Sequence, residues 1–166
     1  NEWAGVTPDI MMVAKGLGGG FPIGALLATE DAAQGMVAGT HGSTYGGNPL
    51  GCAVASAVMD IVADEEFLAE VRRKSGLFRQ KLEGLVAAHP DVFSAVRGSG
   101  LMLGLECVAP NTDIVAAGYA AHVITVPAAE NVIRLLPALT ITDAELAEAV
   151  DRLDAAATAI VSADAA

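Results

Sequence analysis

Thr7-Pro8-Asp9-Ile10-Met11-Met12-Val13-Ala14-Lys15-Gly16-Leu17-Gly18-Gly19-Gly20-Phe21-Pro22 is the stretch on which the fold reading turns. A turn-like Thr7-Pro8-Asp9 introduces the short apolar run Ile10 to Ala14, the pattern of a buried strand. That run stops at Lys15 and a glycine-rich loop, Gly16 to Pro22. A second apolar run, Ile23 to Ala28, predicts another strand. Neither run alternates polar with apolar residues, so both faces are expected to be covered, as in the parallel or mixed sheet of an α/β layer. The fold class read from this stretch is α/β.

Further along, Gly39 to Gly47 is a polar, glycine-rich loop, and Asn48-Pro49 offers a cap and a first-turn proline for a helix. Leu50, Val54, Val58 and Ile61 form one stripe of that helix, and the small residues between them suit an internal position. Asp64-Glu65-Glu66 places negative charge where a second helix would start. Phe67, Val71, Phe78, Leu82 and Leu85 mark its buried face, and His89-Pro90-Asp91 ends it. Val92 to Val96 and Leu101 to Cys107 are predicted strands joined through Arg97-Gly98-Ser99-Gly100. A helix over Thr112 to Ala121, strands over Val123 to Val126 and Val132 to Leu136, and a last helix capped at Thr142-Asp143 follow. Ser162 to Ala166 is expected to fray. The chain is thus expected to hold an α/β segment to about residue 60. An α+β unit with a small, mostly antiparallel sheet fills 61–166, and the joining element is helical, so the two parts should move little.

Composition excludes several function classes. Twenty Asp and Glu against nine Lys and Arg leave a formal charge of −11 over 166 residues, a poor match for nucleic acid or an anionic bilayer. Hydrophobic residues reach 53%, but Gly, Asp, Ser or His interrupts every apolar run. None approaches the roughly 18 residues of a spanning helix, so no membrane segment is expected. Cys52 and Cys107 lie too far apart for a disulfide framework or thiolate zinc site. No signal peptide is visible at Asn1-Glu2-Trp3, and a cytoplasmic chain is expected.

Conventional motifs fail. Lys15 precedes its glycines, whereas a P-loop lysine follows them, and no register of Gly16 to Gly24 satisfies G-x-G-x-x-G. No serine sits in G-x-S-x-G, and His41, His89 and His122 form no metal-spaced pair, so no metal site is expected. A lysine at the end of a strand, facing glycines, remains. Ligands of open α/β sheets collect at strand carboxyl ends, and glycines let backbone approach them closely. Desolvation there would favour the neutral amine that a Schiff base needs, against the alternative of a solvated strand-end lysine. His41-Gly42-Ser43-Thr44-Tyr45-Gly46-Gly47 leads into a helix N-terminus, a place suited either to a phosphate or to an ordinary capped turn. Arg134, set among Val132, Ile133, Leu135 and Leu136, must reach the edge or find an anion. A carboxylate ligand and a structural ion pair both satisfy it.

Taken in order, these segments resemble class III (ornithine-type) aminotransferases. Gly5-Val6-Thr7-Pro8-Asp9-Ile10 and Ala14-Lys15-Gly16-Leu17-Gly18-Gly19-Gly20-Phe21-Pro22-Ile23-Gly24-Ala25 resemble the family's cofactor-lysine region. His41 to Leu50 looks like its phosphate-contact loop. Arg97-Gly98-Ser99-Gly100-Leu101-Met102-Leu103-Gly104-Leu105-Glu106 and Asn131-Val132-Ile133-Arg134-Leu135-Leu136-Pro137 resemble its small domain. Pro110-Asn111-Thr112-Asp113 and Thr125-Val126-Pro127-Ala128 are most similar to the members that act on acetylornithine and succinylornithine.

The resemblance implies the end of a large cofactor-binding domain of fold type I over 1–60 and the small C-terminal domain over 61–166. It implies pyridoxal 5′-phosphate (PLP) as cofactor, with Lys15 binding it covalently and moving the proton of the reaction. Thr44 would contact the phosphate of the partner subunit's cofactor in a homodimer. Ser43 would lie near substrate, and Arg134 would clamp a carboxylate. The reaction implied is transfer of an amino group from N-acetylornithine, or a related ω-amino acid, to a 2-oxo acid, as in arginine biosynthesis. Ornithine, 4-aminobutyrate and succinyldiaminopimelate remain alternative donors, and a non-catalytic folded fragment is a further alternative. In the family the phosphate cup, the ring-stacking aromatic and the aspartate at the pyridinium nitrogen all precede the lysine. The aspartate is expected about 30 residues before it, beyond Asn1. The 166 residues resemble a C-terminal portion expected neither to hold PLP tightly nor to transaminate alone.

Overall fold

The computed structural model describes residues 1–164. The chain forms two compact units, Asn1–Phe67 and the part from Leu68 onward. No helix among the described residues is long and apolar enough to cross a membrane.

In the first unit, β1 (Ile10–Val13) pairs antiparallel with β2 (Ala25–Ala28), in a register running from Ile10 opposite Ala28 to Val13 opposite Ala25. A single 3-10 turn, Lys15–Gly18, follows β1 and closes on Gly19 at φ 55°. α1 (Pro49–Val62) starts where the sequence predicts: Asn48 Oδ1 accepts the Gly51 N–H at 2.7 Å, with Pro49 in the first turn.

Three expectations fail here. The sheet is a two-stranded antiparallel ribbon, not a parallel or mixed layer, and one face is open, with Met12 81% and Leu26 62% exposed, while Met11 and Val13 on the other face are only half-buried. An uninterrupted apolar run announces a strand that needs cover on both faces, but it says nothing of which residues provide the cover. β2 also begins at Ala25, two residues later than expected. α1, expected to be internal, leaves Leu50, Met59 and Ile61 exposed, and only Gly51 in it is buried. Small residues permit close packing without supplying a partner.

The second unit is a four-stranded antiparallel sheet in the order β3-β4-β6-β5, comprising β3 (Phe93–Ser99), β4 (Met102–Cys107), β5 (Val126–Ala128) and β6 (Val132–Leu135). Its helices are α2 (Glu65–Ala88, beginning in the first unit), α3 (Asn111–Ala120) and α4 (Asp143–Asp164). Leu103 faces Leu135 and Leu105 faces Ile133 across β4 and β6, and this side of the sheet meets the apolar stripes of the helices. Phe78, Leu82 and Leu85 of α2, Ile114 of α3, and Leu146 and Leu153 of α4 complete the core. Five of those six helical residues were readable from 3.6-residue spacing.

Local chemistry explains the boundaries. Asp64 Oδ1 accepts the Phe67 N–H at the start of α2. Thr142 and Glu145 form a reciprocal capping box on α4, with the Thr142 N–H donating to Glu145 Oε2 at 2.8 Å and the Glu145 N–H to Thr142 Oγ1 at 3.2 Å. β3 runs through to Ser99, so Arg97 lies in a strand and the hairpin loop is Gly100-Leu101 rather than 97–100. Gly100 takes φ 57°, as a tight two-residue hairpin loop demands. The strand expected over Val123 to Val126 is displaced to Val126–Ala128, and α4 continues as helix to Asp164 instead of fraying from Ser162. The rest of that expected tail, 165–166, lies outside the described residues.

Two asparagines lock α3 to the sheet. Asn131, at φ 54°, donates through Nδ2 to the Cys107 and Ala109 carbonyls and accepts the Asn111 N–H. Asn111 Nδ2 in turn donates to the Ala128 and Val132 carbonyls.

Candidate active site

Lys15 occupies the first position of the turn after β1 with φ 54°, in the left-handed region, a conformation that costs a lysine about 1–3 kcal/mol. It lines an open hollow of about 740 Å³ together with Gly16, Gly19, Gly20, Phe21 and Gly24. The glycines divide by purpose. A Cβ on Gly18 would meet Ile23 Cγ2 at 2.8 Å, and one on Gly19 would meet Val58 Cγ2 at 2.9 Å, so these two admit the chain's own packing. Gly16 and Gly20 have nothing within 4 Å of a built Cβ and leave open wall beside the lysine. Lys15 is exposed, so the sheltering expected of its amine is not provided by the residues of this chain.

In the same unit, the His41 to Asn48 loop is held by its own side chains. Ser43 Oγ accepts the Gly46 N–H at 2.9 Å, and Asn48 Nδ2 donates to the Tyr45 carbonyl at 2.9 Å while its Oδ1 caps α1. Thr44 is exposed between them. The loop is therefore an ordered, capped turn whose hydroxyls face water.

Arg134 belongs to the second unit, on the side of the sheet away from the core. It pairs across strands with Gly104 on β4 and Val126 on β5, and Gly104 pairs in turn with Arg97 on β3. Its neighbours Val132, Ile133 and Leu135 are buried while Arg134 is exposed, so it reaches water at the sheet surface. No carboxylate pairs with it among the described residues, which disposes of the structural ion pair as its explanation. Arg97, on the same face, is the opposite case. Its Nε donates to Glu106 at 2.6 Å and its Nη1 to Glu130 at 2.6 Å, and the two carboxylates, Glu130 first, raise its already high pKa.

The sequence pattern of the family described as aminotransferase class-III matches residues 1–157. This chain belongs to that family. The acetylornithine aminotransferase of Rhodobacter capsulatus is 68% identical over 160 residues, covering 96% of this chain and 41% of that protein. The acetylornithine aminotransferase of Mesorhizobium japonicum is 54% identical over 163 residues, covering 98% and 41%. Among solved structures, the N-acetylornithine aminotransferase of Stenotrophomonas maltophilia superposes with a TM-score of 0.84 at 38% identity, over 98% of this chain and 43% of that one. The aminotransferase chain therefore spans about two fifths of the length of the relatives it matches, and its mixed α/β architecture is part of their fold.

Class III aminotransferases use PLP, and the hollow beside Lys15 fits one side of such a group: a primary amine at its rim and glycine walls into which no Cβ projects. Sequence reading named Lys15, Ser43, Thr44 and Arg134 as candidates, gave no role to Glu130 and placed Arg97 in a turn rather than in a strand. The missed signal is the hairpin register. A two-residue loop at Gly100-Leu101 sets Arg97 opposite Gly104 and Glu106 one diagonal step away, whereas a turn placed over 97–100 hides the pair.

Proposed function

We propose that the protein carrying this sequence transfers the amino group of N-acetylornithine to 2-oxoglutarate with PLP as its cofactor, a step of arginine biosynthesis. The 68% identity over 160 residues to a protein named acetylornithine aminotransferase is the observation that carries this reading. The first unit is the end of the cofactor-binding domain and the second the small domain. Lys15 would hold the cofactor through its side-chain amine and would carry a proton at the substrate Cα. Its left-handed backbone sits at the glycine-lined hollow, which Lys15 helps to line. PLP supplies the electron sink that makes the Cα proton removable. Thr44, exposed at the entry to α1, offers its hydroxyl to the cofactor phosphate of a partner subunit, with Ser43 beside that substrate, so the working species is a cytoplasmic homodimer. Arg134 binds a substrate carboxylate by two-point contact.

Borohydride reduction of the full-length protein with PLP should fix the label on Lys15, and Lys15→Ala should abolish both label and turnover. A full-length protein that stays unlabelled, or that turns over normally without Lys15, refutes the reading. A donor panel should rank N-acetylornithine above ornithine and 4-aminobutyrate, and the reverse order would replace the substrate.

A further inference from the structure

We propose that Arg97 is a positioning residue for Arg134: it takes up Glu106 and Glu130 and so keeps the Arg134 guanidinium open to a carboxylate ligand. The inference rests on the reading of Arg134 as a carboxylate clamp. Its basis is the register of the outer sheet face. Gly104 pairs with Arg97 on one side and with Arg134 on the other, while Glu106, two residues along the same strand, pairs with Ala95 and Val132. Glu106 is therefore diagonal to both arginines, and diagonal neighbours at about 7–8 Å are within reach of long side chains. Gly104 puts no side chain between them. A built Cβ there would lie 3.6 Å from Arg97 Cγ, so the Arg97 stem lies close beside the gap.

Glu106 has a choice of two cations and takes Arg97. Glu130, from the loop between β5 and β6 and only four residues before Arg134, also reaches Arg97. Arg97 and Arg134 are the only cations these strands carry on this face. With Arg97 removed, Glu106 would be left diagonal to Arg134 with no other cation on these strands to take it up, and Arg134 would pair with it and be less open to ligand. One arginine is thus neutralised so that the other stays available.

The test uses Arg97→Met in the full-length enzyme, with Arg134→Leu and the triple Arg97→Met/Glu106→Gln/Glu130→Gln beside it. In a crystal structure of Arg97→Met, the Glu106 carboxylate should lie on Arg134. KM for the carboxylate substrates should rise about two- to fivefold, the range of partly exposed ion pairs, with kcat held. The triple variant should restore KM to the parental value, which a purely structural role of Arg97 would not allow. Should Arg97→Met not fold, Glu106→Gln/Glu130→Gln with Arg97 retained serves instead. It leaves two free cations on the face, so KM should stay level or fall, and a rise overturns the proposal. An unchanged KM in Arg97→Met, or failure of the triple to restore it, also overturns the proposal. If Arg134→Leu leaves KM unmoved, the clamp reading itself is wrong. If it raises KM while Arg97→Met does not, only the positioning role fails.

Discussion

The two units treat the same kind of residue in opposite ways. Beyond residue 68, Leu105, Ile114, Ile133 and Leu146 are each 0% exposed, and the helices cover one face of the sheet with a continuous core. In the first unit, Ile10, Met12, Leu26 and Leu27 on the ribbon are all more than half exposed, and among its described residues only Gly18 and Gly51 are buried. The candidate residues follow the same division. Lys15 and Thr44 sit on the unit with little core of its own, while Arg134 stands on the four-stranded sheet that backs the core. Apolar content alone does not make a core; that takes elements within the unit that face one another.

The sharpest way to break this contrast is paired truncation. Leu105→Ala should cost about 2–5 kcal/mol in denaturant unfolding, whereas Leu26→Ala, 62% exposed, should stay within about 0.5 kcal/mol. Equal costs would show that the ribbon is buried in solution. Gly98→Ala comes next. At φ 104°, with a built Cβ only 2.2 Å from the Met102 carbonyl oxygen, it should lose about 3 kcal/mol. Asn48→Ala probes a purely local device in the less-packed unit and should cost about 0.5–2 kcal/mol of helix stability, read as lost α1 amide protection.

A smaller effect of opposite sign is expected at Thr125, 3% exposed, whose hydroxyl finds no partner among the described residues. Thr125→Val should stabilise the second unit by about 1 kcal/mol, seen as a raised urea midpoint. Smallest is the acid dependence. Arg73 holds the Glu70 and Asp143 carboxyls below their usual range, and the Thr142 N–H and hydroxyl do the same for Glu145. These groups bind protons more readily unfolded than folded, so their contribution is full above the ordinary carboxylate pKa and fades as pH falls through the depressed values. Arg73→Met should flatten that part of the stability–pH curve, and added salt should do likewise.

Local patterns carried far. The stripe of α2, the Asn48 and Thr142 caps and the strands around Arg134 are set by neighbours within a few residues, and the sequence displays them. Lys15 was legible because a lone lysine between an apolar run and four glycines is an unusual string. Its left-handed backbone was not, since nothing in a lysine codon announces a positive φ.

What the chain order alone determined is element type, helix faces and the candidate residues Lys15, Ser43, Thr44 and Arg134. These depend on short-range periodicity and side-chain chemistry. Tertiary structure decided that β1 and β2 form an open antiparallel ribbon, that Lys15 is exposed, and that Glu106 and Glu130 pair with Arg97 rather than Arg134. Those outcomes depend on register and on which surfaces meet, and between β3 and β4 the register is settled by the loop at Gly100-Leu101, which moves every facing pair of those two strands at once.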